Sequence, residues 1–239
     1  MLQKSALVTI VLATCGIALF CALGSWQLHR AEQKRALHRE FLAAAALPPR
    51  ALDTLNVDPP LWSEVHTIGV FDDRTVLLDN RVRNGRQGYE VYSVFRPVEG
   101  LALLVNRGWV PAGSTRAALP DTAPPSGMRS LKGRTAPPPS TGIRLGGAVQ
   151  FEALGRRLWR TQHLDDAGLR AALELPLRTY TLLMDQAEPD GFLREWLLPE
   201  ADDGKHTAYA VQWFAFAFIA LGLAMRALVR QTRKEAGSQ

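Results

Sequence analysis

Apolar residues along this chain collect in two long runs. Residues 5–28 make 24 consecutive positions without a charge, and residues 207–225 a further 19. Wound as α-helices these reach about 36 Å and about 28 Å, against a hydrocarbon core of roughly 30 Å. Both are therefore predicted to be transmembrane helices. None of the 15 prolines falls in either run. Trp26 sits at the end of the first, and Tyr209 and Trp213 at the start of the second, where amphipathic rings favour the membrane interface. A signal peptide is the rival reading of the first run, since Lys4 precedes it and Ala22-Leu23-Gly24 looks like a cleavage site. The uncharged stretch continues past that site, which the anchor explains and the signal does not.

Between the runs the pattern shortens. Residues 30–46 read as a helical extension of the first span, ended by Pro48-Pro49. Residues 65–70, 75–82, 89–94 and 101–110 are rich in β-branched and aromatic side chains and are separated by turn signals such as Asn84-Gly85, which predicts an antiparallel meander. Further strands are expected over residues 128–134, 147–151 and 179–184, and Asp165 is placed to cap a short helix ending at Leu173. The prolines of residues 120–125 and 137–139 mark loops. The expected fold class is an α+β membrane protein in which two transmembrane helices bracket a mainly antiparallel, small barrel-like β domain with one or two short helices. Its parts are residues 5–28, first span; 29–206, β-rich domain; 207–225, second span; and 226–239, basic tail.

Charge changes the picture of partners. The 239 residues carry a net +5, but residues 29–206 hold 23 Lys and Arg against 22 Asp and Glu, or +1, leaving +4 for the two ends. Basic tips beside apolar runs suit a lipid bilayer, and a near-neutral middle argues against nucleic acid. Two spans put both termini on one side, expected to be the cytoplasm, and the central domain in the periplasm. With three residues before Lys4 there is no arginine-rich transit peptide, so the expected location is a bacterial inner membrane. Cys15 and Cys21 both lie in the first run, so the rest of the chain has no thiol for a zinc cage or a disulfide.

No phosphate loop, His-Glu-x-x-His or Gly-x-Ser-x-Gly is present, so the common enzyme signatures fail. The acidic pairs Asp72-Asp73, Asp165-Asp166 and Asp202-Asp203 lie where turns and helix starts want carboxylates. Among five histidines, His29 ends the first span and His206 precedes the second. Helical spacing aligns His206, Tyr209, Ala210 and Trp213. That stripe could seat a flat apolar macrocycle with an imidazole on its iron, but spacing alone favours the plainer reading, a wet interfacial histidine beside an aromatic belt. Gln212 is the one amide in the second span and is expected to face the other helix. Thr14, Ala18 and Ala22, with Ala220 and Ala224, are small enough for close helix approach. Arg107 suits recognition of a carboxylate or propionate, or an internal salt bridge.

Four segments together resemble one family. Gly24-Ser25-Trp26-Gln27-Leu28-His29-Arg30 followed by Lys34, Gly88-Tyr89-Glu90-Val91, Val105-Asn106-Arg107-Gly108-Trp109-Val110-Pro111, and His206-Thr207-Ala208-Tyr209-Ala210-Val211-Gln212-Trp213-Phe214 are similar, in this order, to motifs of the surfeit locus protein 1 family. These are two-span assembly factors of haem-copper cytochrome oxidases. The resemblance implies a non-enzymatic role in delivering haem a to, or stabilising, the oxidase catalytic subunit, with haem a synthase a further candidate partner. It implies His206 as the axial candidate for a transiently held haem a, with Tyr209 and Trp213 as walls. Trp26, Gln27, Arg30, Asn106, Arg107, Gly108, Trp109 and Gln212 are then motif or partner-contact positions. A scaffold that holds an oxidase subunit without haem is the alternative.

Overall fold

The computed structural model describes residues 4–55, 57–139, 151–200 and 204–236. It divides into two units, Met1–Arg39 with Pro199–Gln239, and Glu40–Leu198.

In the first unit, helix α1 (Lys4–Ala45) continues unbroken from the apolar run through the charged extension, 42 residues in all, or about 63 Å. It closes three residues before Pro48, as the proline requires. Helix α3 (Gly204–Ala236) carries the second run. Both are long and apolar enough to cross a membrane, and side chains such as Leu12 (68% exposed) and Phe218 (78%) have no protein cover, a surface that only lipid would make comfortable. On the extension, Glu32 pairs with Arg39 at 2.8 Å and with Arg35 at 3.6 Å. Such exposed pairs are screened by solvent, add little to stability and mark a face that meets water.

The two helices are antiparallel, with Phe20 stacked on Trp213 at 5.9 Å, Gln27 bonded to His206 at 2.8 Å and Arg35 reaching Thr207 at 3.3 Å. The seam uses positions 20, 24, 27 and 31 of α1 and 206, 210, 213 and 217 of α3. These four-three-four steps are the spacing of left-handed helix pairing. Small residues do line it: Gly24, Ala31, Ala210 and Ala217, with the expected Ala220 and Ala224 half-buried at the next steps of the same spacing. Thr14, Ala18 and Ala22 are exposed on the lipid side, which corrects the expected stripe: a four-residue repeat drifts off a seam that alternates fours and threes.

In the second unit, eight strands form one sheet: β1 (Arg50–Ala51), β2 (Glu64–Arg83), β3 (Arg86–Pro97), β4 (Ala102–Pro111), β5 (Met128–Ala136), β6 (Glu152–Ala153), β7 (Leu158–Thr161) and β8 (Leu177–Met184). Strands β2, β3, β4, β8 and β5 close into a ring, because β5 pairs back with the first half of β2. The expected barrel-like domain is present. The meander expected over residues 65–110 is present as well, since β2–β3 and β3–β4 pair antiparallel in chain order; parallel pairings of β4 with β8 and of β2 with β7 and β1 are added to it. Two predicted strands, 65–70 and 75–82, are halves of the single 20-residue β2, whose bulge between Phe71 and Thr75 re-aims the strand. The strand expected over 147–151 falls mostly outside the described residues.

Inward-facing Val65, Phe95, Leu103, Val105, Leu131 and Leu182 fill the barrel. Helix α2 (Asp166–Leu173), capped by Asp165, whose carboxylate accepts from Gly168 N at 2.6 Å, lays Leu169 and Leu173 over Val94, Leu104 and Val76 on the outer face. This two-sided cover explains why β4 is buried at nine successive positions and reads as a continuous apolar run rather than an alternating one.

Candidate functional site

The two central motifs converge on one end of the barrel. Alternation along β4 sends Arg107 inward after Leu103 and Val105, and it is 3% exposed. Its guanidinium lies 5.7 Å from the Phe71 ring centre and 4.9 Å from that of Phe192. It donates to the carbonyls of Asp190 (2.7 and 3.2 Å), Thr122 (3.0 Å) and Ala123 (3.3 Å). Among the described residues its bonds go to these backbone carbonyls and to the Ser93 hydroxyl at 3.4 Å, so the internal salt bridge left open in the sequence is not formed; Asp190 spends its own carboxylate on Arg129 at 2.5 Å. Burial pushes the Arg107 pKa down to about 10, with the Asp190 charge only partly restoring it.

The neighbouring motif residues are equally committed. Asn106, 2% exposed, donates to the Tyr92 hydroxyl at 2.9 Å and to Glu90 at 3.1 Å, and its amide oxygen accepts from Gly108 N at 3.0 Å. Burial first, and the Glu90 carboxylate second, raise the Tyr92 pKa well above its ordinary value. Trp109 donates from Nε1 to Arg81 O at 2.9 Å, and its ring covers Gly88. Gly108 sits at φ +113° in a bulge of β4, where residues 192 and 193 add backbone bonds: Phe192 N to Arg107 O at 2.7 Å and Trp109 N to Leu193 O at 2.8 Å. Asn106, Arg107 and Trp109 were open to a partner-contact role on sequence; all three are buried, and they hold the barrel end and its strap together.

Gly108→Ala is therefore expected to destabilise the protein by about 2–4 kcal/mol. An added Cβ would meet Leu193 O at 2.7 Å and Phe192 C at 2.9 Å at a φ that alanine avoids. Gly85→Ala, at φ +73° in the Asn84-Gly85 turn with nothing within 4 Å, should cost only about 1 kcal/mol. Thermal unfolding of both variants beside the wild type checks the contrast; equal losses would refute it.

Among the described residues, the carboxylates of the acidic pairs are engaged in ion pairs or a helix cap. Asp72, its side chain 8% exposed, binds Arg96 at 2.8 Å and Arg74 at 3.5 Å, and Asp73 binds Arg157 at 2.5 Å. Asp165 is the cap already described, and Asp202-Asp203 lies outside the described residues.

In the membrane unit, His206 and Gln27 face each other across the seam. Gln27 turns its amide oxygen to His206 Nδ1 at 2.8 Å, and Nε2 has no partner among the described residues. Trp213 is not beside the imidazole. It packs in an aromatic cluster with Phe20 and Phe216, about two to three turns deeper. Tyr209 is 53% exposed, off the seam. Gln212 is exposed, not turned to α1, because it precedes the seam position of Trp213 by one residue, about 100° round the helix, and so lands on the outer face. Trp26 is 58% exposed, and Arg30, also exposed, bonds Gln33 at 3.0 Å. Sequence reading singled out His206 and Gln27 separately; their pairing had no signal short of knowing the seam.

The SURF1 family model matches residues 14–218, from inside α1 to inside α3. The chain belongs to the SURF1 family. A SURF1-like protein of Rickettsia felis is 25% identical over 227 residues, covering 90% of this chain and 92% of that one. An uncharacterised SURF1-like protein of Mycobacterium bovis is 26% identical over 232 residues, with 92% and 83% covered. The SURF1 family is one of cytochrome oxidase assembly factors. Each of the four motifs thus has a place in this SURF1 chain: two form the barrel-end clasp, and two meet at the helix seam.

Proposed function

We propose that this SURF1 protein assists assembly of a haem-copper cytochrome c oxidase by helping haem a reach the catalytic subunit, with His206 as the axial ligand. It works at the bacterial inner membrane, with the central domain in the periplasm and both termini cytoplasmic. The observation that carries the reading is the half-engaged imidazole of His206: Nδ1 is tied to Gln27, and Nε2 has no protein partner among the described residues. Metal-bound histidines are typically arranged in this way. The fit to haem is partial, since Trp213 is packed elsewhere and Tyr209 is the aromatic side chain left near the imidazole in sequence and exposed. A single imidazole on the iron would hold the macrocycle loosely enough to be handed on.

A haem-free scaffold is the second reading, favoured by the exposed Trp26, Tyr209 and Gln212, which offer an oxidase subunit amphipathic contacts on the helix pair. Pyridine haemochrome spectra of detergent-purified wild type and His206→Ala, from cells making haem a, separate the two. Haem in the wild type that falls about tenfold or more in the variant is the expected result. A haem-free wild type, with normal oxidase content in cells carrying His206→Ala, would transfer the function to the scaffold.

A further inference from the structure

We infer that Gln27 is a positioning residue for His206: it locks the imidazole in its Nδ1–H tautomer, so that Nε2 is the nitrogen presented to iron. The step rests on the haem reading above. An amide oxygen can only accept, so the 2.8 Å contact from Gln27 Oε1 to His206 Nδ1 requires the proton on Nδ1, which in the neutral imidazole leaves a lone pair on Nε2. Imidazole free in water prefers the opposite tautomer, with the proton on Nε2, which has no lone pair there for a metal. Gln27 thus does for His206 what a carboxylate or carbonyl does behind a metal-bound histidine.

The surrounding packing makes the lock stiff. Position 27 lies on the seam between Gly24, which is buried, and Ala31, which is fully so. Position 206 is held one residue away by Thr207, whose hydroxyl accepts from Arg35 at 3.3 Å. At a membrane face a bond between two neutral groups also fits better than an ion pair, since no charge has to be desolvated. The same bond gives Gln27 a reason to be glutamine. A leucine there would pack the seam but release the imidazole, whereas a glutamate keeps an acceptor oxygen in place.

The test uses the full chain in lipid nanodiscs, purified without haem and carrying histidine labelled with nitrogen-15. Protonated and bare ring nitrogens resonate far apart, and the His206 signals are those lost in His206→Ala. Wild type is expected to show Nδ1 protonated and Nε2 bare, Gln27→Leu to revert toward the Nε2–H form, and Gln27→Glu to keep the wild-type pattern. Titration with iron protoporphyrin IX should then give an affinity about 10- to 100-fold weaker in Gln27→Leu and near wild type in Gln27→Glu. A wild-type His206 with its proton on Nε2 overturns the proposal, as does equal binding by wild type and Gln27→Leu. Equal binding by wild type and His206→Ala instead overturns the haem reading itself, and the nitrogen signals still report separately whether Gln27 sets the tautomer.

Discussion

Arg107→Met is expected to lower the stability of the full chain by about 3 kcal/mol or more, a fall in Tm of roughly 6–12 °C for a chain of this size. Methionine is close to arginine in length and apolar bulk, so the contacts with Phe71 and Phe192 are largely kept. What is lost is the donor. The carbonyls of Asp190, Thr122 and Ala123 all point at the guanidinium, and each buried acceptor left bare costs about 1–3 kcal/mol. Against this stands the relief of desolvating a cation, the same effect that lowers the Arg107 pKa to about 10. Relief is partial because the charge is already spread over several carbonyl dipoles, each charge-assisted bond contributing about 1.5–3 kcal/mol. Arg107→Lys should fall between the two, as a single ammonium cannot span carbonyls on both the 122–123 loop and the 190 strap. Thermal unfolding in detergent decides; a Tm within about 2 °C of wild type for Arg107→Met would mean the carbonyls find water, and the clasp is not what the geometry says.

Much of this architecture was legible because it rests on local rules. The two uncharged runs, the stop before Pro48, the Asn84-Gly85 turn and the Asp165 cap each follow from chemistry within a few residues. Barrel closure was legible only in kind. Which strand pairs with which depends on contacts far apart in sequence, and the parallel β4–β8 pairing joins residues 75 to 77 positions apart, which no local pattern encodes. Strand β7, four residues long, gave too short a signal to find. The motif Asn106-Arg107-Gly108-Trp109 was visible as a motif but not as a clasp, since its partners come from residues 81, 88, 90, 122 and 190–193. At the seam, the small residues were sought at a spacing of four, and the alternating spacing the helices use was missed. Gln212 was expected to turn to α1 because an amide in hydrocarbon needs a partner, yet it faces out, and the amide that does cross to the other helix is that of Gln27.

Gly24→Ile is expected to reduce oxidase assembly about as far as His206→Ala does, roughly tenfold or more, though it touches neither His206 nor Gln27. The reason is distance. A Cβ on residue 24 would lie 2.8 Å from Phe214 Cζ and 2.9 Å from Cε1, so even alanine requires the ring to give way. Those atoms are the far rim of a side chain, which can swing, and Gly24→Ala should therefore be tolerated with near-normal assembly. Isoleucine adds a branch that a rotated ring cannot clear, and the backbones must part. Gln27 lies less than one turn along α1, and a hydrogen bond of 2.8 Å does not survive a helix separation of an ångström or more. The two hypotheses for the helix pair then respond differently. If His206 serves haem, Gly24→Ile and His206→Ala share one phenotype, loss of haem together with loss of oxidase. If the pair is a scaffold, Gly24→Ile disturbs the surface that holds the subunit while His206→Ala leaves it intact, and the two variants separate. Oxidase content measured by reduced-minus-oxidised spectra of membranes, with immunoblots to confirm that each variant is present, reads both outcomes, and normal content in Gly24→Ile would remove the close helix seam from the mechanism altogether.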